Sequence, residues 1–178
     1  MRGYFGIGVE NVSKPMNVGN LFRSAHAFGA SFVFTINAAY NAEAKGADTS
    51  RATESLPYYR FAAPEELLLP RGCRLVGVEL LEEAEELPSF PHPAAAAYLL
   101  GSERGRLSEV LLARCDHLVA IPTRFSINLA VAGAIVMYDR IKTLGRYPAR
   151  PVSEIGAPEP LPAHHYGEPI RRKRDATP

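Results

Sequence analysis

Short apolar runs alternate along this chain with segments whose apolar residues recur at helical spacing. The run from Tyr4 to Val9 is typical of a buried strand, while Leu21, Phe22 and Ala25 repeat as on a helix face. This alternation predicts an α/β fold, with a mainly parallel sheet and helices on both faces. Strands are predicted at residues 3–10, 31–36, 74–79, 98–101 and 117–121, and helices at 18–29, 107–114 and 127–143.

The composition changes after Thr143, because seven of the 15 prolines fall in residues 144–178. We therefore predict one domain over residues 1–143. A Pro-rich, partly basic C-terminal extension with little regular structure would follow over 144–178. Residues 37–60 lack apolar periodicity and are predicted to form a long loop, of a kind that is often functional.

Charge and cysteine content limit the class of protein. A net charge of +1 does not by itself indicate nucleic-acid binding. Cys73 and Cys115 lie near no histidine cluster, so we predict no metal site and no disulfide framework, but reduced thiols in a cytoplasmic protein. The N-terminal sequence predicts neither a signal peptide nor a membrane span.

Several common nucleotide and hydrolase motifs are missing. Gly6 and Gly8 lie inside the first strand pattern, and no third glycine opens a helix as a dinucleotide-binding turn requires. The chain also has no phosphate-binding loop of the Walker type, no zinc-binding His-Glu-x-x-His and no Gly-x-Ser-x-Gly elbow.

Three short blocks carry the functional signal. They are Asn-Val-Gly-Asn-Leu-Phe-Arg at 17–23, Leu-Gly-Ser-Glu-Arg-Gly at 100–105, and Ile-Pro-Thr-Arg-Phe-Ser-Ile-Asn at 121–128. In this order and spacing they resemble the three motifs of the SpoU/TrmH branch of the SPOUT RNA methyltransferases. The resemblance extends over roughly residues 3–142.

The resemblance implies a SPOUT-type fold with a C-terminal trefoil knot, in a homodimer with its sites near the dimer interface. It also implies transfer of a methyl group from S-adenosylmethionine to RNA. The expected acceptor is a ribose 2′-oxygen of tRNA, with rRNA as the less favoured substrate. Two alternatives stay open, namely a base-nitrogen methyltransferase and a non-catalytic RNA-binding protein on the same fold.

In the first block, Asn17 has a structural interpretation as the N-cap of a helix, and Arg23 has one as a solvated surface arginine. The resemblance instead implies that Arg23 holds the target phosphate and takes part in catalysis with Asn17. Phosphate binding suits a guanidinium, whose planar fork matches phosphate oxygens and which keeps its proton in proteins.

The second block follows a predicted strand, where a glycine permits close approach of a ligand to the backbone. By resemblance, Leu100 and Gly101 line the donor pocket and Glu103 organises the catalytic site. The family usually has a glycine three residues after this glutamate, where this chain has Arg106. Gly105 stands one residue earlier, so the turn is expected to shift by one residue.

The third block opens the last predicted helix, which Ser126 or Asn128 would cap. By resemblance, Ile121, Pro122, Ser126 and Asn128 contact the donor, and the last two also act in catalysis. The end of the third predicted strand is expected to border the same pocket through Val78 and Glu79.

RNA contacts are expected from arginines, since phosphate binding needs cations without sequence choice. Tyr58 and Tyr59 offer rings for base stacking, although a packed aromatic pair is the alternative interpretation. The basic run at 171–174 is either a further RNA contact or a solvated tail. The candidate RNA-binding residues are Arg23, Arg51, Arg60, Arg104, Arg106 and Arg124.

Overall fold

The computed structural model describes residues 3–39, 55–102 and 105–145 of the 178-residue chain. Within them, seven strands form one sheet in the order β3-β2-β1-β6-β4-β7-β5, and every strand pairing is parallel. The strands are β1 (Tyr4–Glu10), β2 (Phe32–Ile36), β3 (Tyr58–Phe61), β4 (Arg74–Val78), β5 (Glu85–Glu86), β6 (Ala95–Leu100) and β7 (His117–Ala120).

Helices cover both faces of this sheet, as predicted. They are α1 (Pro15–Ala27), α2 (Glu109–Arg114) and α3 (Leu129–Leu144). On one face, α1 and α3 pack over a buried cluster that includes Ile7 and Tyr98. On the other face, α2 packs over a second cluster that includes Phe34 and Leu99. Because β1 and β6 carry apolar residues on both sides, they form the buried centre of the sheet.

The two-residue strand β5 was not predicted, and most element boundaries differ from the sequence-based prediction by one or two residues. Three larger differences have a physical reason. β3 lies at the end of the predicted loop 37–60, where it pairs with β2 as an edge strand. β6 begins at Ala95, three residues early, because burial between β1 and β4 outweighs the low strand propensity of alanine. α1 begins at Pro15, whose ring presets the backbone angle of a first helical residue.

The two helices on the first face approach each other closely. A Cβ atom at Gly133 of α3 would lie 2.2 Å from Cδ1 of Leu21 on α1, a distance that real side chains cannot adopt. Glycine at this position therefore allows α3 to lie against α1. This contact brings the start of α3 beside the start of α1, where two of the three sequence blocks lie.

A buried arginine fixes the far end of α3 to the sheet. Arg140 is 4% exposed, and its guanidinium donates to the carbonyl oxygens of Pro93 at 2.6 Å, Ala94 at 2.7 Å and Tyr4 at 3.2 Å. These carbonyls lie where β1 and β6 begin. The last helix is thus held at the amino edge of the sheet, opposite the edge that carries the sequence blocks.

A buried histidine belongs to the same polar network. His92 contacts the Tyr98 hydroxyl through Nδ1 at 2.6 Å and the Asp139 carboxylate through Nε2 at 3.0 Å. Burial lowers the pKa of His92 and Arg140 adds to the lowering, while Asp139 opposes it. The folded protein therefore favours the neutral imidazole more than the unfolded chain does.

We expect this histidine to make the fold sensitive to mild acid. A lowered folded-state pKa contributes stability in full above the unfolded pKa of about 6.5, and this contribution is lost as the pH falls through the folded pKa. Urea unfolding at pH 7.5, 6.5 and 5.5 should show this loss. His92→Gln, which does not titrate, should have a shallower pH dependence, and an equal slope in both proteins would contradict the assignment.

The knot and the division between residues 143 and 144 stay predictions, because residues 103–104 and 146–178 lie outside the described part of the chain. α3 itself extends to Leu144. None of the helices within residues 3–39, 55–102 and 105–145 combines the length and apolar character that a membrane span needs.

Candidate active site

Asn17 is not the N-cap of α1, contrary to one interpretation of the sequence. Because the helix begins at Pro15, Lys14 is the N-cap and Asn17 is the third helical residue. Its side chain points into the protein and is 9% exposed. The amide group of Asn17 is therefore available for a tertiary contact rather than for the helix end.

That contact is with Asn128, 111 residues further along the chain. The Asn128 Nδ2 group donates to Oδ1 of Asn17 at 3.2 Å. The Asn128 Oδ1 atom accepts from the backbone amides of Ala130 at 2.9 Å and Val131 at 3.4 Å, which makes Asn128 the N-cap of α3. One side chain thus caps a helix and joins the first sequence block to the third.

Arg23 and Asn128 line one open groove of about 580 Å³ between α1 and α3. Arg23 is exposed and lies on α1 two turns from Asn17. The polar side chains that line the groove come from α1 and from Asn128, and α3 itself contributes mainly apolar side chains. Its lining consists of Asn20, Arg23, Ser24, Phe28, Asn128, Ala130, Val131, Ala134, Ile135 and Tyr138.

The second block lies at the carboxyl edge of the sheet. Leu100 pairs with Val9 on one side and with Val78 on the other, and Val78 also pairs with Val119. The residues that follow these strands, among them Gly101 and Ile121, therefore leave the sheet at the same edge. In open parallel sheets this edge is where ligands bind.

Gly101 lies against a carboxylate and a backbone turn. A Cβ atom there would lie 3.1 Å from both Oε2 of Glu79 and the amide nitrogen of Leu107. A side chain at this position would require the carboxylate or the backbone at Leu107 to move by a few tenths of an ångström. The protein's own groups therefore pack closely against the end of β6, where the resemblance implies main-chain contacts to S-adenosylmethionine.

The remaining predicted donor contacts lie around this edge. Leu100 is 3% exposed and its side chain belongs to the core, so only its backbone faces the edge. Val78 and Ile121 are partly buried against the same core cluster. Pro122 is partly buried, and Ser126 is exposed in the loop before α3. Asn128, not Ser126, caps that helix.

The residues predicted to contact RNA differ in exposure, and some lie outside the described part of the chain. Arg60, Arg106 and Arg124 are exposed, while Arg51, Arg104 and the catalytic candidate Glu103 lie outside the described residues. Tyr58 is a packed side chain, since its hydroxyl lies 2.8 Å from Oγ1 of Thr35 and its ring lies against Phe22. Only Tyr59, 51% exposed, is available for stacking.

The sequence-based prediction missed Glu10, which ends β1 and is 1% exposed. Its carboxylate accepts a hydrogen bond from the Ser108 amide at 2.7 Å. The available signal was a charged residue directly after a continuous apolar strand. Within residues 3–39, 55–102 and 105–145, no group of three or more His, Cys, Asp or Glu side chains is arranged to hold a metal ion.

Two substitutions of Asn128 should separate its two roles. Asn128→Ala removes the helix cap and the bond to Asn17, and should cost about 1 kcal/mol of unfolding free energy. Asn128→Asp keeps the cap but opposes two oxygens at Asn17, so stability should change less while methylation falls. Chemical unfolding and methylation assays measure both. If Asn128→Asp is fully active, the hydrogen bond between the Asn128 and Asn17 side chains has no functional role.

Comparisons with known proteins identify the family of the chain and structures with a similar fold. The model of the SpoU rRNA methylase family matches residues 5–138. A tRNA (guanosine(18)-2′-O)-methyltransferase of Thermus thermophilus is 27% identical over 139 residues, covering 74% of this chain and 71% of that relative. A 23S rRNA (uridine(2479)-2′-O)-methyltransferase of Streptomyces viridochromogenes is 26% identical over 151 residues, covering 78% and 53%.

A solved structure described as giving structural insights into the 2-OH methylation of C/U34 on tRNA is also similar. It has a TM-score of 0.69 and 25% identity, with 81% of this chain and 98% of that chain covered. The chain spans only 9% of the length of another relative, a tRNA (guanosine(18)-2′-O)-methyltransferase of Mus musculus. By its matched motifs and its fold, the chain belongs to the SpoU rRNA methylase family.

Proposed function

We propose that this chain transfers a methyl group from S-adenosylmethionine to a ribose 2′-oxygen of RNA, with tRNA as the preferred substrate. The observation that carries the proposal is the bond between Asn17 and Asn128, beside a groove that Arg23 also lines. It joins two of the three family blocks at one place. The remaining block, at 100–105, begins at the carboxyl edge of the neighbouring sheet.

The chemistry asks little of the protein beyond positioning. The bound donor supplies a methyl group already activated by a sulfonium charge. The backbone after Leu100 and Ile121 would hold this donor at the carboxyl edge of the sheet. Alignment of the acceptor with the methyl group can supply up to about 7–11 kcal/mol of the barrier.

Arg23 would bind the phosphate next to the acceptor ribose through its planar fork of N–H groups. It would not remove the hydroxyl proton, because a guanidinium keeps its own proton in proteins. Glu103, Ser126 and the Asn17–Asn128 pair are the proposed polar groups around the hydroxyl. Arg51, Arg60, Arg104, Arg106 and Arg124 are the proposed further contacts to RNA.

The preference for tRNA rests on the relatives. The Thermus relative is named for tRNA, and the solved structure concerned with tRNA is covered over 98% of its length. The Streptomyces relative, named for 23S rRNA, is covered over 53%. Cys73 and Cys115 are thiols and do not form a disulfide with each other. This supports the further proposal of a cytoplasmic location, where thiols stay reduced.

We also propose a homodimer that forms across the α1–α3 face. Val131, Ile135 and Tyr138 of α3 are 51%, 37% and 52% exposed and lie beside one another along the groove. Burial of these side chains against a second copy would remove an apolar surface from water. Arg23 and Asn128 would then lie at the rim of the interface.

The dimer is tested by light scattering after size-exclusion chromatography. Ile135→Glu should yield a monomer, because it puts a charge in the proposed interface. Leu68→Glu is the control, since Leu68 is 79% exposed and does not line the groove. If the wild-type protein is monomeric at micromolar concentration, the proposed homodimer is contradicted.

The activity is tested by nucleoside mass spectrometry. Purified protein, S-adenosylmethionine and unmodified tRNA should yield a 2′-O-methylated nucleoside, and a deletion strain should lack the same nucleoside. Formation of a base-methylated nucleoside instead would favour the base-nitrogen alternative. Absence of S-adenosylmethionine binding in calorimetry would contradict any methyltransferase role and leave only RNA binding.

A further inference from the structure

Two carboxylates flank Gly101 at the end of the central strand β6. Leu100 pairs with Val9 of β1 and Val78 of β4, so the next residues, Glu10 and Glu79, stand on either side of Gly101. Both belong to the alternation that faces α2. The second sequence block therefore begins between two acidic side chains.

These carboxylates bind two successive backbone amides from the end of the same turn. Oε2 of Glu79 accepts from Leu107 at 3.1 Å, and Oε2 of Glu10 accepts from Ser108 at 2.7 Å. The other oxygen of Glu79 accepts from Leu80 at 3.0 Å. Hydrogen bonds to an ionised acceptor are about twice as strong as neutral ones.

The chain is thus held at Gly101 and at Leu107 and Ser108, on the two sides of residues 103–104. Gly101 continues β6, and the other two residues are bound to the strands on each side of β6. Glu10 is 1% exposed, so water does not compete for its bond. Between the fixed ends lie Ser102 and the second-block residues that would line the donor site.

We propose that Glu10 is a positioning residue for the methyl-donor site, acting through the Ser108 amide together with Glu79. The proposal rests on the proposed methyltransferase function. Loss of the charge at Glu10 loosens the backbone at Ser108 and at the adjoining Leu107, which lies against Gly101, so the backbone at the end of β6 is no longer held in its donor-binding shape. Donor affinity then falls, while Arg23 and the groove between α1 and α3 keep their arrangement.

The first test compares Glu10→Gln with Glu86→Gln, an isosteric control at an exposed residue of the edge strand β5. Calorimetry with S-adenosylmethionine should show roughly three- to tenfold weaker binding for Glu10→Gln, because a neutral acceptor replaces a charged one. Wild-type affinity should persist in Glu86→Gln. Steady-state kinetics should show a raised KM for the donor, with kcat at saturating donor largely retained.

The second test removes the donor of the hydrogen bond rather than its acceptor. Ser108 has a φ of −61°, which a proline can adopt, and proline lacks the amide hydrogen. Ser108→Ala removes the hydroxyl but keeps the amide. Ser108→Pro should therefore lose more affinity for S-adenosylmethionine than Ser108→Ala does. The difference measures the hydrogen bond between the Ser108 amide and Glu10. This difference should be smaller in the Glu10→Gln background, where the acceptor at position 10 is neutral, as for two residues that act through one contact.

The outcomes separate this inference from the proposed function. Amide hydrogen exchange can be measured without S-adenosylmethionine. Exchange at Leu107 and Ser108 should be faster in Glu10→Gln than in wild type. Unchanged exchange, or unchanged donor affinity in a wild type that binds donor, overturns the role of Glu10. A wild type that does not bind S-adenosylmethionine overturns the proposed function instead. Equal losses of kcat and donor affinity in a destabilised Glu10→Gln would mean a general structural role, which also overturns the inference.

Discussion

Arg23→Ala is expected to lower the rate of RNA methylation by about a hundredfold, the loss that misplacement of the reacting groups can cause. Donor binding should stay nearly intact, because Arg23 lies on α1 in the groove with Asn128 and not beside Gly101. Single-turnover methylation of tRNA and calorimetry with S-adenosylmethionine measure the two quantities separately. Because Arg23 is exposed, Arg23→Ala should leave the protein folded, so unfolding would not explain the lower methylation rate.

Two further variants sharpen this result. Arg23→Lys keeps the charge but loses the planar fork, so its rate should fall between those of wild type and Arg23→Ala. Arg71→Ala, at an exposed arginine before β4, should methylate at the wild-type rate. If Arg23→Ala weakens donor binding as much as it slows methylation, then Arg23 does not act on the RNA phosphate.

Arg140→Leu is expected to lower the free energy of unfolding by about 3 kcal/mol or more, because it leaves buried carbonyl groups without donors. The guanidinium donates hydrogen bonds to the carbonyl oxygens of Pro93, Ala94 and Tyr4 at the amino edge of the sheet. It also lies 5.3 Å from the centre of the Phe5 ring. A leucine fills much of the volume but donates no hydrogen bond. Urea unfolding measured by circular dichroism gives the loss.

The matched control is Lys142→Leu, two residues further along α3, where the side chain is exposed. This change should shift the unfolding free energy by about 0.5 kcal/mol or less. Arg140→Lys should recover only part of the loss, since an ammonium cannot span several carbonyls as a guanidinium does. A mild effect of Arg140→Leu would mean that water satisfies these carbonyls.

Local sequence pattern was sufficient for most of the fold. Continuous apolar runs predicted β1, β2, β4 and β7 because strands buried on both faces need apolar residues at every position. The pattern did not predict β3, because this edge strand has a mixed burial pattern and exposes Tyr59 and Arg60. An edge strand contacts one neighbour only, so its residues carry a weaker apolar signal.

The candidate site was predictable only as a set of residues. The blocks at 17–23, 100–105 and 121–128 named Asn17, Arg23 and Asn128 as candidates, but a capping role for Asn17 was equally consistent with the sequence. The position of Pro15 removed that role and left the Asn17 amide facing the interior. No pattern within one segment indicates which partner such a side chain will meet.

By itself, the sequence determined the α/β class, the strand and helix segments, and the three blocks that carry the family resemblance. These follow from residue periodicity and local backbone preference, which act over a few residues. Only the tertiary structure decided that Asn17 bonds to Asn128, 111 residues away, and that Glu10 binds the amide of Ser108, 98 residues away. Such contacts depend on how parallel strands are ordered in the sheet and how α1 and α3 pack, and chain folding alone brings these distant groups together.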